Sequence, residues 1–138
     1  MRGEAIFQLI PQRPPIVMVD VVWSATDTEA ETGLTIQEDN IFVRDGRFRE
    51  PGLIEHIAQS AAAFAGYGTF VRGEEPKLGY IGEIKDCNLY VLPKVGEELR
   101  TTIQLVAEVG GIRLISAETK LKDEIVGNCT MKIFLKEG

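Results

Sequence analysis

The stretch Gly52-Leu-Ile-Glu-His-Ile-Ala-Gln-Ser-Ala-Ala-Ala-Phe-Ala-Gly-Tyr-Gly-Thr-Phe-Val-Arg72 decides the fold. At about 20 residues it spans roughly 30 Å as a helix, and no other segment of the chain reads as a long helix. Leu53, Ile57, Ala61 and Phe64 form one apolar row, and Ile54, Ala58, Ala62 and Ala65 form another. A helix apolar nearly all round has to be wrapped by other structure. Gly66 and Gly68 weaken the last turns, where the helix is expected to end or bend, and Gly73 and Pro76 close the region.

Working outward, residues 78–91, 97–108, 112–121 and 124–135 are strand-like runs. The separators Pro93-Lys94-Val95-Gly96, Gly110-Gly111 and Lys122-Asp123 read as hairpin turns. Leu99, Thr101, Ile103 and Leu105 alternate with Arg100, Thr102 and Gln104, which predicts a sheet with one dry and one wetter face. Upstream, residues 16–24 are apolar on both faces except at Asp20 and predict a buried strand, with Thr32–Gln37 as its partner. Residues 38–51 mix Asp39, Asn40, Asp45, Gly46 and Pro51 with scattered apolar side chains, so they predict an irregular loop and the first place to seek function. Ile6, Leu9 and Ile10 share a face of a short helix that stops at Pro11, a lid or plug. Strands on both sides of one apolar helix predict an α+β domain over residues 1–138, an antiparallel sheet curled around that helix.

Composition narrows the function. The 138 residues carry 15 Lys and Arg against 21 Asp and Glu, a net charge of −6, with no basic run to receive a phosphate backbone. Nucleic acid is therefore not an expected partner. Cys87 and Cys129 lie in strand-like runs without the neighbouring Cys or His that a zinc site needs, and both read as small core residues. No glycine-rich phosphate loop or metal-ligand cluster is present, so no cofactor or metal is expected. Charged residues interrupt every apolar run well short of membrane-spanning length, and a cytoplasmic protein without a membrane partner is expected.

The element order is similar to that of the hot-dog fold, and four segments resemble the bacterial 3-hydroxyacyl-acyl carrier protein dehydratases. These are Leu9-Ile-Pro-Gln-Arg-Pro-Pro-Ile-Val-Met-Val-Asp20, Glu55-His-Ile-Ala-Gln59, Val91-Leu-Pro-Lys-Val-Gly-Glu97 and Ile125-Val-Gly-Asn-Cys-Thr-Met131. Glu50-Pro-Gly-Leu-Ile-Glu-His-Ile-Ala-Gln59 further resembles a branch of dehydratases of aryl-polyene-type pathways. The resemblance implies a curled antiparallel sheet around one long central helix. It also implies a homodimer or higher oligomer, and a tunnel at the subunit boundary for an acyl thioester on acyl carrier protein or coenzyme A.

Three groups of residues are candidates for the chemistry. Glu55 stands in the first turn of an otherwise apolar helix, where a carboxylate is costly to bury without a partner or a task, and it is the candidate acid/base. Gln59 lies at i+4 on the same face and either orients Glu55 or makes an ordinary buried hydrogen bond. His56, the only histidine, points about 100° away around the helix; it has a catalytic part only if a two-chain site turns it toward substrate, and is otherwise a hydrogen-bonded core histidine. The family's loop histidine, in a Gly-His-Phe-Pro-Gly context, is absent: Asp45-Gly-Arg-Phe-Arg-Glu50 has Arg47 in its place, and arginine stays protonated. Arg44, Arg47 and Arg49 put three cations in six residues, either for a phosphate of carrier or coenzyme or as a solvated loop paired with Glu38, Asp39, Asp45 and Glu50. The leading expectation is a 3-hydroxyacyl-carrier dehydratase-like protein. The alternatives are a non-catalytic or half-site subunit of a hot-dog heterodimer, and a thioesterase using Glu55 with a water.

Overall fold

The computed structural model describes residues 1–74 and 79–135. Its single long helix, α1 (Glu50–Val71), starts with Pro51 in the first turn, where the missing N–H costs nothing. Ile57, Ala61 and Phe64 pack against Ala30, Ile103, Ile115, Ala117, Cys129, Met131 and Ile133 from the sheet. The helix neither ends nor breaks at Gly66 and Gly68, contrary to expectation. Gly66 is there for a close approach: a Cβ at that position would lie 2.3 Å from the Leu9 carbonyl oxygen.

The strands are β1 (Val21–Ala25), β2 (Glu29–Thr35), β3 (Val43–Arg44), β4 (Arg47–Phe48), β5 (Gly79–Leu89), β6 (Glu98–Val109), β7 (Ile112–Leu121) and β8 (Glu124–Leu135). Six of them form one antiparallel sheet in the order β1-β2-β6-β7-β8-β5, wrapped around α1. This is the hot-dog fold. Gly110 at φ 62° and Lys122 at φ 53° open the two short turns that join β6 to β7 and β7 to β8.

Several expectations need correction. Residues 16–20 are not strand; β1 begins at Val21, because Met18 is engaged by helix side chains and Asp20 accepts a hydrogen bond from the Thr35 N–H through Oδ2 at 2.9 Å. The Pro93–Gly96 segment is not a hairpin turn, since β5 pairs with β8 and β6 with β2. It is instead the seat of a small β3–β4 hairpin inside the supposed irregular loop: Phe48 N–H donates to Pro93 O at 2.8 Å and Val95 N–H to Gly46 O at 3.1 Å. The short N-terminal helix is a 3₁₀ turn, Gly3–Gln8, and Ile6, Leu9 and Ile10 plug a cluster with Val19, Val22 and Ala63.

The wrapping of α1 is incomplete. Ile54 on the helix is 38% exposed, and beside it the edge strand β5 leaves Ile81 39% and Ile84 41% exposed. Ile54 and Ile84 line one recess and form an apolar strip between α1 and β5 on the open side of the fold. Cys87, expected in the core, is exposed, whereas Cys129 is buried. Among the described residues no helix is long and apolar enough to cross a membrane.

Candidate functional site

Gln59 organises the start of α1. It is fully buried, and its amide is used in three directions. Oε1 accepts from the Met18 N–H at 2.6 Å, and Nε2 donates to the Ile16 carbonyl at 2.8 Å and to Glu55 Oε1 at 2.9 Å. One helical turn separates Glu55 from Gln59, so the two side chains stack on the same face. The carboxylate is thereby held at one oxygen. Glu55 is half-buried, and among the described residues its Oε2 has no hydrogen-bond partner. Exposed Ile54 is the preceding residue of α1, about 100° around the helix from Glu55.

His56 points into the core. It is fully buried, with Nδ1 2.6 Å from the Met18 carbonyl and Nε2 2.7 Å from Thr101 Oγ1. A carbonyl can only accept, so Nδ1 carries the proton; Nε2 then accepts from Thr101, which in turn accepts from Thr119 at 2.6 Å. Burial lowers the imidazole pKa to about 4, against the opposing effect of the bond to Met18 O, so the ring is neutral at pH 7. Met18 is thus gripped at its N–H by Gln59 and at its carbonyl by His56. On the same helix Ser60 donates to the His56 carbonyl at 2.8 Å and accepts from Thr32 at 2.7 Å. The structure brings Gln59 and Glu55 together and places His56 on another surface, with both nitrogens occupied.

The three arginines are engaged differently. Arg49 Nε and Nη2 donate to the Arg44 carbonyl at 3.1 and 2.7 Å, and its guanidinium lies 3.5 Å from Asp45. Arg47 Nη1 donates to the Leu92 carbonyl at 2.8 Å. Both therefore fasten the β3–β4 hairpin. Among the described residues Arg44 is exposed and makes neither an ion pair nor a side-chain hydrogen bond. Among the described residues Gln12 Oε1 is buried without a partner.

Sequence reasoning missed the clamp on Met18, because its partners are backbone atoms of a segment read as strand. It also missed a recess lined by Ile54, Ile57, Ile84, Cys87, Cys129 and Met131 below the apolar strip. The described residues contain no group of three metal-ligating side chains.

The chain is similar to known proteins along nearly its whole length. Residues 4–137 match a family described as ApeP-like, ApeP dehydratase. No protein of curated function matches it. Among solved structures, the dehydratase heterocomplex ApeI:P from Xenorhabdus doucetiae superposes with a TM-score of 0.87 at 17% identity, covering 96% of this chain and 91% of that one. An uncharacterised protein, PH1136 from Pyrococcus horikoshii, gives 0.73 at 16% identity over 100% and 96% of the two chains. A hypothetical thioesterase with coenzyme A from Streptococcus pneumoniae gives 0.68 at 12% identity, with 84% of each chain covered. At these identities the structural likeness establishes the fold.

Proposed function

The chain belongs to the ApeP-like dehydratase family, and from that premise we propose that it binds 3-hydroxyacyl thioesters and supplies Glu55 to their dehydration. The observation that carries this reading is the half-buried Glu55 carboxyl, fixed at one oxygen by Gln59 and, among the described residues, without a hydrogen-bond partner at the other. In the elimination, the bond from the α-carbon to hydrogen breaks, its electron pair forms the carbon–carbon double bond, and the bond from the β-carbon to oxygen breaks. Glu55 in its acid form protonates the departing hydroxyl, which leaves as water. Gln59 is the positioning residue that holds the carboxyl.

A base must take the α-proton, and this chain's only histidine is buried with both nitrogens engaged. We therefore assign the base to a second hot-dog chain seated on the open side of the fold. The structural relative is a dehydratase heterocomplex, and the exposed Ile54, Ile81 and Ile84 would be covered by such a second chain. His56 serves the site by holding Met18, the residue that Gln59 also holds. Exposed Arg44 is the cation available to a carrier or coenzyme phosphate.

The test incubates the chain, alone and with the hot-dog chain that co-purifies with it from its native host, with 3-hydroxyacyl and enoyl thioesters. Interconversion by the pair and little by the isolated chain supports the reading; full activity of a homodimer removes the second chain from it. The same open oxygen on Glu55 suits a hydrolytic water, so release of free thiol from acyl-coenzyme A, instead of interconversion, favours a thioesterase.

A further inference from the structure

The two cysteines face each other across neighbouring strands, and a bulge is what puts them there. In the β5–β8 ladder Lys85 pairs with Thr130 and Asn88 with Asn128, so Asp86 and Cys87 together oppose the single residue Cys129. Strict alternation from Lys85 would turn Cys87 to the outer face. The extra residue, with Asp86 at φ 50°, keeps Asp86 and Asn88 outward and turns Cys87 inward. There Cys87 and Cys129 line one recess with Ile54, Ile57, Ile84 and Met131.

From this register we propose that Cys87 and Cys129 form a reversible cross-strand disulfide that clamps the bulged edge strand β5 to β8 beside the start of α1. Adjacent strands lie roughly 4.7–4.9 Å apart, close to the Cα separations of roughly 4.4–6.8 Å that a disulfide spans. The oxidant is a small-molecule disulfide. The exposed Cys87 loses its proton and attacks one sulfur of that disulfide, expelling one thiolate and leaving a mixed disulfide. Cys129 then gives up its proton and attacks the Cys87 sulfur, expelling the second thiolate; the small disulfide is reduced to two thiols and the protein pair is oxidised. Burial, with the Cys87 thiol close by, pushes the Cys129 thiol of the reduced chain up to about 12. Closing the bond draws the two sulfurs together in the recess that Ile54 and Ile57 share. The inference is independent of the role assigned to Glu55.

The experiment equilibrates the purified chain with reduced and oxidised glutathione from both directions, alkylates remaining thiols after denaturation and maps the products by mass spectrometry. The expected result is loss of both thiols, with the Cys87 and Cys129 peptides joined and the chain lighter by two hydrogens. Cys87→Ser should leave Cys129 fully alkylated. Amide hydrogen exchange along β5 should slow in the oxidised chain, return on reduction and stay unchanged in Cys87→Ser. A glutathione adduct on Cys87 with Cys129 still free, a Cys87–Cys87 link between chains, or two thiols that persist at equilibrium would each overturn the proposal.

Discussion

Gln59 Nε2 donates to Glu55 Oε1 at 2.9 Å while Gln59 Oε1 accepts from the Met18 N–H at 2.6 Å, so the catalytic candidate and the approach to β1 are tied by one buried amide. The tie fixes which oxygen of the carboxyl is occupied. It also couples the stability of the N-terminal segment to the geometry of the site.

Replacing Gln59 with Ala removes the acceptor of the buried Met18 N–H and a donor to the part-buried Ile16 carbonyl. Leaving the buried Met18 N–H unsatisfied costs about 1–3 kcal/mol. Denaturant unfolding should show a loss in that range. In the folded variant Glu55 loses its positioning contact, so kcat should fall more than the change in KM accounts for.

The neutral His56 makes stability depend on pH. Its pKa is about 4 in the folded chain against 6.5 in the unfolded one, so between these values the unfolded state binds more protons. Stability is therefore fully present above pH 6.5 and declines as the pH falls toward 4, by about 3 kcal/mol in all. Unfolding midpoints taken across that window should follow this slope, and His56→Gln, which retains a donor and an acceptor, should flatten it. Thr101→Val strips the hydroxyl from Nε2 and should lower stability by about 1–3 kcal/mol at pH 7.

Gly66→Ala puts a methyl group 2.3 Å from the Leu9 carbonyl oxygen, a backbone atom that cannot swing aside as a side chain would. Overpacking of this kind costs about 1–3 kcal/mol. The melting temperature should drop, although alanine is the better helix former. An unchanged or raised melting temperature would mean that the Leu9 segment moves freely from the helix.

The arginines should separate by role. Arg44→Gln leaves the hairpin's bonds in place and should weaken acyl-carrier or acyl-coenzyme binding by roughly tenfold, the equivalent of one charge-assisted hydrogen bond of about 1.5 kcal/mol, with the loss growing smaller as salt is added. Arg49→Gln removes the two bonds to the Arg44 carbonyl and should loosen the β3–β4 hairpin, seen as faster amide exchange at Phe48. Equal affinities for wild type and Arg44→Gln would assign Arg44 to solvent.

What the sequence disclosed follows from local spacing. The apolar rows of residues 52–72 give the helix, and i, i+4 spacing alone puts Gln59 under Glu55. The runs 112–121 and 124–135 match β7 and β8 because a two-residue turn joins them. Pairing between distant strands leaves no such mark, so nothing near Pro93 tells that β5 crosses to β8. The bulge at Asp86 reverses the face of Cys87 through one added residue, which alternation cannot anticipate. The guanidinium bonds of Arg47 and Arg49 go to carbonyls, and a carbonyl looks the same at every position in a sequence.

The central claim is that the Glu55 carboxyl donates the proton that makes water of the leaving hydroxyl. Its most direct test is the steady-state dehydration of a 3-hydroxyacyl thioester by the complex of this chain with its co-purifying hot-dog partner, comparing Glu55 with Glu55→Gln. Glutamine keeps the size and can still meet Gln59, but it cannot act as a carboxylic acid, so kcat should fall by about 10²–10⁴-fold with the complex and thioester binding intact. A Glu55→Gln complex that turns over as fast as the wild type would contradict the account.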